Sequence, residues 1–360
     1  MTVEEVPRVA HLPTPSPLKA LYMTSCVAGT PSWRESLKKL ILETELNAVV
    51  IDIKDATGTI TIPDEALQPS SSVKSGCKVR DIKAFIQDLH KEGIYVIGRL
   101  SVFQDSYYSG LRPDLAMKRK SDGGVWKDRK GLAFIDVASR EYWDYIVRIA
   151  TTSYEIGFDE INFDYIRYPS DGNMADVEYN LTSATVHATS SLQASSTSLG
   201  TRAETLEVFF SYLSSALADT GMKTSADLFG LTTLARDDLG IGQVLERALP
   251  YFDYIAPMVY PSHFSSGIAG YAKPAEHPYE IIKYSMSKAV EREQSWLLSN
   301  GLATSTPSKL RPWLQDFNLG ATYDAEKVRA QIQATYDVGL TSWMLWAPSN
   351  KYTESALLQE

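Results

Sequence analysis

Excess basic charge, abundant cysteine, clustered histidine and long apolar runs are all missing from this 360-residue sequence. Lys and Arg total 35 against 44 Asp and Glu, a formal net charge of −9. Such a chain offers no attractive field to a phosphate backbone, so nucleic acid is not an expected partner. Two cysteines, Cys26 and Cys77, allow one disulfide but are no disulfide framework, and two unpaired thiols are the expected reading. The five histidines are His11, His90, His187, His263 and His277. None pair at metal-ligand spacing and no HExxH occurs, which argues against a zinc or iron centre. An Asp-only magnesium site stays open, but no cofactor and no metal are expected. No apolar run approaches the roughly 18 residues of a membrane span. The start, MTVEEVPRVAHLPTPSPLKA, shows neither the charged n-region nor the apolar h-region of a signal peptide. No GxSxG elbow and no Ser-His-Asp set is evident. No internal repeat is visible.

What is present is ordinary globular composition, 44% hydrophobic and 22% charged, enough for one large core or two smaller ones. Residues 1–17 hold Pro7, Pro13, Pro15 and Pro17 and read as a Pro-rich extended tail outside the core. Beyond it, short apolar strands alternate with amphipathic stretches. The strands fall at 20–26, 48–54, 94–100, 160–166, 222–230, 254–260, 310–317 and 342–348. The helical patterns fall at 32–45, 79–92, 139–156, 202–220, 240–249, 277–292 and 324–338. Gly93, Gly157, Gly221 and Gly339 each follow a helical pattern and precede a strand, the expected stop signal. Eight strands, each but the last followed by a helix, make the α/β pattern of a (β/α)8 TIM barrel, here one domain over 18–355. A doubly wound sheet is disfavoured, because CVAGTPSW after the first strand is no G-x-G-x-x-G phosphate turn. Long loops follow strand three (101–131) and strand four (169–201), and the second contains the Ser/Thr-rich stretch LTSATVHATSSLQASSTSLGT. Both leave strand C-termini, where the active-site loops of barrels grow.

Polar, aromatic and ionic residues gather at those same ends. They include Asp52 and Lys54 on strand two, Arg99 on three, Asp164 and Arg167 on four, and Asp227 on five. Tyr260 follows on six, Trp313, Gln315 and Asp316 on seven, and Trp346 on eight. In the stretch GFDEINFDYIRYPSDG (157–172), a charged Asp164 stands in an otherwise apolar strand, which Pro169 is expected to end. A carboxylate there is costly unless paired or at the strand mouth. Carboxylates, arginine and aromatics without metal or nucleophile motifs suit glycoside hydrolysis, which needs one protonated and one ionised carboxyl. Asp164 and Asp227, on adjacent strands, are the best pair. A neighbouring Arg99 or Arg167 would keep Asp164 ionised, and Asp227 or else Asp316 would be the acid. Asp52, Lys54, Arg99, Arg167, Tyr260, Trp313, Gln315 and Trp346 are candidate substrate contacts, with Tyr260 and Trp346 as sugar-stacking platforms. Each of these also has a plain structural reading as a cap, an ion-pair partner or a core aromatic.

The segments VVIDIKDATGTI (49–60), VIGRLSVFQD (96–105), GFDEINFDYIRYPSDG (157–172), SADLFGLTT (225–233), YIAPMVYPSHF (254–264), RPWLQDF (311–317) and MLWAPSNKYT (344–353) carry a resemblance. The chain resembles a bacterial family of glycosyl hydrolases classed as a domain of unknown function, a TIM barrel near the amylase-like enzymes. The resemblance runs over nearly the whole of 18–355. It implies a polysaccharide, oligosaccharide or cell-wall glycan as partner, and an extracellular or cell-surface location. The fourth strand also looks like that of chitinase-type barrels, which carry D-x-x-D-x-D-x-E. Here the series is Asp159, Asn162 and Asp164, with Ile166 in place of the catalytic Glu, which argues against chemistry assisted by the substrate's acetamido group. In amylase-like barrels the nucleophile sits on strand four and a Glu acid on strand five, which maps onto Asp164 and Asp227, with Asp replacing Glu. The alternative reading is a non-catalytic carbohydrate-binding barrel; a structural or assembly domain is a third. A monomer is expected.

Overall fold

The computed structural model describes residues 10–64, 66–67, 77–181, 200–303 and 308–359. Eight parallel strands close a barrel in it: β1 Lys19–Met23, β2 Ala48–Lys54, β3 Tyr95–Ser101, β4 Glu160–Asp164, β5 Lys223–Phe229, β6 Tyr254–Met258, β7 Trp313–Gln315 and β8 Trp343–Trp346. Each pairs with its sequence neighbour, and β8 pairs back onto β1. The connections carry helices α1 Pro31–Leu42, α2 Ile82–Lys91, α3 Arg140–Ile156, α4 Arg202–Leu217, α5 Leu245–Ala248, α6 Pro278–Ser299 and α7 Ala325–Asp337, with short extra helices at Ser25–Ala28 and Ser106–Leu111. The expected fold is therefore present as an α/β barrel. Two elements differ in extent. The pattern at 240–249 forms only the short α5, because Gly240 and Gly242 both sit at positive φ just before it. The helix expected to stop at 292 runs on to Ser299.

The long loops after β3 and β4 meet. Lys118–Arg119 from the first pairs antiparallel with Val177–Glu178 from the second. The Ser/Thr-rich residues 182–199 lie outside the described residues.

The interior is divided by the two-residue period of the strands. On β4, Ile161 and Phe163 face the helix layer and join its apolar core. Glu160, Asn162 and Asp164 point the other way, into the barrel, where they meet Arg311, Ser225 and Arg99. The middle of the barrel is apolar, filled by Ala20, Val50, Ile97, Ala256 and Met344. Its floor is ionic: Glu160 pairs with Arg311 at 2.5 Å and accepts from the Tyr95 hydroxyl at 3.2 Å. The described end of the Pro-rich tail runs across this floor without helix or strand. Thr14 Oγ1 lies 3.0 Å from the Tyr95 hydroxyl, and the Leu12 N–H donates to Asp159 at 2.7 Å.

The expectation of two free thiols is overturned. Cys26 and Cys77 form a disulfide. Cys26 lies in the short helix Ser25–Ala28 after β1. Cys77 lies ahead of α2, and adjacent barrel units bring these two connections together.

Candidate active site

β4 does not run on to a stop at Pro169. It ends at Asp164, where the chain turns through Tyr165, a non-glycine residue at φ 50°. That left-handed turn costs a bulky side chain about 1 kcal/mol or more. It turns the Tyr165 N–H onto Asp164 Oδ1 at 2.6 Å and sends Arg167 back over the barrel mouth. Just after β5, a Cβ at Gly230 would stand 2.5 Å from the Met258 carbonyl oxygen. Only glycine lets the end of β5 cross β6 that closely. These two turns shape a cavity of about 360 Å³ at the C-terminal ends of the strands, lined among others by Arg99, Asp164, Tyr165, Arg167, Asp227, Phe229, Tyr260, His263 and Trp346.

Arg99 is the hub. Its Nη2 and Nε (3.1 Å) bind Asp164 Oδ2, its Nη1 binds Asp52 Oδ1 at 2.7 Å, and its Nε lies 3.9 Å from Asp227 Oδ2. The Tyr22 hydroxyl donates to the other Asp52 oxygen at 2.5 Å. Asp227 Oδ1 accepts from Asn162 Nδ2 at 2.9 Å and from the Trp313 indole N–H at 2.8 Å. Among the described residues nothing donates to its Oδ2.

One buried guanidinium thus faces three buried carboxyls, and three anions around one cation in a dry site are prohibitive. The proton load falls on Asp227. Burial first, then the charge of Asp164, pushes its pKa up to about 8, against the pull of Arg99, Asn162 and Trp313. Burial also raises Asp52, offset in part by Arg99 and Tyr22. Burial works against the charge of Arg99, but Asp164 and Asp52 outweigh it and hold its pKa well above the ordinary value. Burial lowers the His263 imidazole, so it faces the cavity neutral at pH 7.

The structure brings Asp164, Asp227, Arg99, Arg167, Tyr260 and Trp346 to one cavity. Asp52 stands behind Arg99, outside the cavity wall. Trp313 is fully buried beneath Asp227, placed as a hydrogen-bond donor and not as an open platform. Lys54 is buried too; it binds the Ser101 carbonyl at 2.6 Å and pairs with Asp105 at 3.0 Å. Gln315 accepts from the Ser262 N–H at 3.1 Å. Asp316 holds the C-terminal segment through the Thr353 N–H and hydroxyl at 2.8 and 2.7 Å. None of these three lines the cavity. Tyr22, Asn162, Tyr165, Phe229 and His263 belong to the site without having been singled out as candidates. For Tyr22 and Asn162 the signal was available: each sits two residues along a strand from another inward-facing position.

Among the described residues no group of three or more His, Cys, Asp or Glu side chains is arranged to hold a metal ion. No described helix is long and apolar enough to cross a membrane.

A closed parallel eight-stranded barrel with helices in its connections and its cavity at the C-terminal rim defines a class, the TIM barrels. The chain belongs to the family described as "Putative glycosyl hydrolase domain", whose model matches residues 20–352. No curated protein sequence matches it significantly. Among solved structures it is similar to the glycoside hydrolase domain of PgaB (BpsB) from Bordetella bronchiseptica, with TM-score 0.61 and 14% identity over 95% of this chain and 99% of that one. It is also similar to alpha-L-fucosidase isoenzyme 2 from Paenibacillus thiaminolyticus, with TM-score 0.56 and 10% identity over 94% of this chain and 48% of that one. At such identities the likeness concerns the fold.

Proposed function

We propose that the chain is a glycoside hydrolase acting on a polysaccharide or cell-wall glycan, with Asp227 as general acid and Asp164 as nucleophile or base. One observation carries this reading. Two buried carboxyls share one guanidinium at the mouth of one cavity, one of them tightly ion-paired and the other 3.9 Å away, with burial and its neighbour's charge pushing its pKa up. That is the division of labour glycosidic cleavage needs.

Asp227 Oδ1 is occupied by two donors, which leaves Oδ2 to carry the proton toward the glycosidic oxygen. Asp164 Oδ2 and Asp227 Oδ2 lie 3.1 and 3.9 Å from the same Arg99 Nε. Their separation therefore cannot exceed about 7 Å, which excludes a pair as wide as the far end of the inverting range. Once the acid has given up its proton, Asn162, Trp313 and Arg99 are already placed to stabilise its charge. Tyr260 and Trp346 offer aromatic surface for a sugar face; Trp346 is held by stacking on Tyr22 at 3.9 Å between ring centres.

The test is a glycan panel read by release of new reducing ends. Asp164→Asn, nearly isosteric, is expected to abolish release while its melting curve stays cooperative. Undiminished turnover removes Asp164 from the mechanism. Asp227→Asn is expected to lose most activity on poor leaving groups and less on activated aryl glycosides; equal loss on both counts against an acid role. Binding without release by the wild-type protein across the panel would favour a carbohydrate-binding barrel instead.

A further inference from the structure

Six Lys and Arg side chains are buried among the described residues: Lys38, Lys54, Arg99, Arg167, Arg292 and Arg311. Five of them have a carboxylate partner, namely Asp88, Asp105, Asp164 with Asp52, Glu246 and Glu160. Arg167 alone has none within ion-pair distance among the described residues, although only 8% of it is exposed. Its Nη1 donates to the Tyr168 carbonyl at 3.0 Å and to Ser170 Oγ at 3.3 Å. The guanidinium lies over the rings of Tyr165 and Phe229, 4.8 and 4.6 Å from their centroids. Nε and Nη2 have no protein acceptor among the described residues, and the side chain lines the cavity.

A buried guanidinium without a counter-ion is costly, and burial here does pull its pKa down. Ring contacts and one carbonyl hold it in place but do not neutralise it. The position is also telling. A second hollow, of about 620 Å³, shares Phe229 and Leu231 with the main cavity and is lined by Ser170 as well. Arg167 lines the main cavity together with Asp164 and Asp227, and it touches two residues of the second hollow, Ser170 and Phe229.

We propose that Arg167 is a carboxylate-binding residue and that the substrate is a glycan bearing uronic acid, whose carboxylate takes the open N–H directions of Nε and Nη2. The planar fork of arginine matches a carboxylate in two parallel hydrogen bonds, and stacking on two rings fixes the plane of the fork in advance. The inference rests on the hydrolase reading only in taking the ligand to be a glycan.

Calorimetry with the whole protein tests it, using oligogalacturonate, alginate oligomers and hyaluronan, each before and after reduction of its carboxyls to alcohols, and a sulfated galactan that carries no carboxyl. Wild type is expected to bind at least one uronate glycan about tenfold more tightly than its reduced form, since tenfold is about 1.4 kcal/mol. Arg167→Gln should erase that preference, Arg167→Lys should keep part of it, and in turnover the effect should fall on KM more than on kcat. Equal affinity for acidic and reduced forms overturns the proposal. So does a preference that survives Arg167→Gln, binding to the sulfated glycan only, or no binding to any uronate glycan. If Arg167→Gln fails to fold, the wild-type comparison still decides. Hydrolysis of neutral glycans without preference for acidic ones sinks the uronate site and spares the hydrolase. Tight uronate binding with no product release does the reverse.

Discussion

Trp313 on β7 donates its indole N–H to Asp227 on β5 across 2.8 Å, reaching past β6 to do so. A buried tryptophan rarely leaves that proton unused, and here it fixes which oxygen of the carboxyl is free. It also lowers the carboxyl's pKa, against burial and the charge of Asp164. Trp313→Phe keeps most of the ring and removes the donor. The variant should lose about tenfold in kcat/KM, in line with roughly 1–1.5 kcal/mol for one hydrogen bond. The alkaline limb of its pH–rate profile should move to higher pH, because a pull favouring the anion is gone. A limb that stays put, or moves down, rules out this role for the indole.

The raised carboxyl of Asp227 gives two linked pH effects. For activity, kcat/KM should fall as pH passes about 8, where the acid form is lost. For stability, the folded-state pKa of about 8 lies above the ordinary 3.8. The folded protein keeps a proton that the unfolded chain releases near pH 4. This contribution is complete below about pH 4 and is lost as pH rises toward 8. Asp227→Asn cannot ionise, and its amide oxygen can still accept from Asn162 and Trp313. The variant should therefore gain on wild type across that window, by about 1–3 kcal/mol at neutral pH. Urea unfolding of both proteins at pH 5 and pH 8 checks it; no difference in their pH dependence means that Asp227 titrates as an ordinary carboxyl.

Much of this site follows from local pattern. Asp164 and Asp227 announce themselves as acids near the ends of apolar strands, and strand ends in a barrel converge. In a parallel barrel both faces of each strand are buried, so the apolar letters of EINFD do not by themselves tell which face turns inward. Register settles it: Arg99 opposite Asn162, Asn162 opposite Ser225, and Asp227 opposite Ala256 put the polar letters inside. The parts that stayed illegible depend on contacts between distant segments. Lys54 looks like a site cation until Asp105, from the loop after β3, is folded against it. Trp313 looks like a sugar platform until β7 is set two strands from β5. Asp316 resembles an acid until Thr353 returns from the C-terminus to cap it.

Arg99 is the charge on which Asp52 and Asp164 depend. Arg99→Met fills similar space and leaves both carboxyls buried without a cation. Breaking a buried pair in this way typically costs 3–5 kcal/mol. The deficit should shrink as pH falls, because protonated carboxyls need no counter-charge. Denaturant titrations of wild type and variant from pH 4 to pH 8 read this directly. A deficit that is constant over the range would mean that the loss is one of packing alone. Activity should vanish in either case, since Asp164 would lose its ion-pair partner.

The Cys26–Cys77 bridge closes a loop of 51 residues that contains all of α1 and β2. Linking such a loop restricts the unfolded chain far more than the folded one, and for this length the gain is about 2–4 kcal/mol. Neither sulfur lines the cavity. The Cys26→Ser, Cys77→Ser double variant should therefore unfold earlier in urea by that margin while keeping its turnover at 25 °C. Reducing agent should bring wild type to the same midpoint and leave the double variant unmoved. If the two proteins already unfold together without reductant, the bridge contributes nothing to stability in solution. If the double variant instead loses turnover while still folded, the bridge positions the rim as well as the chain. One contact that could carry such an effect is that of Thr24, two residues before Cys26, whose N–H donates to Asn350 Oδ1 at 2.9 Å, four residues beyond Trp346.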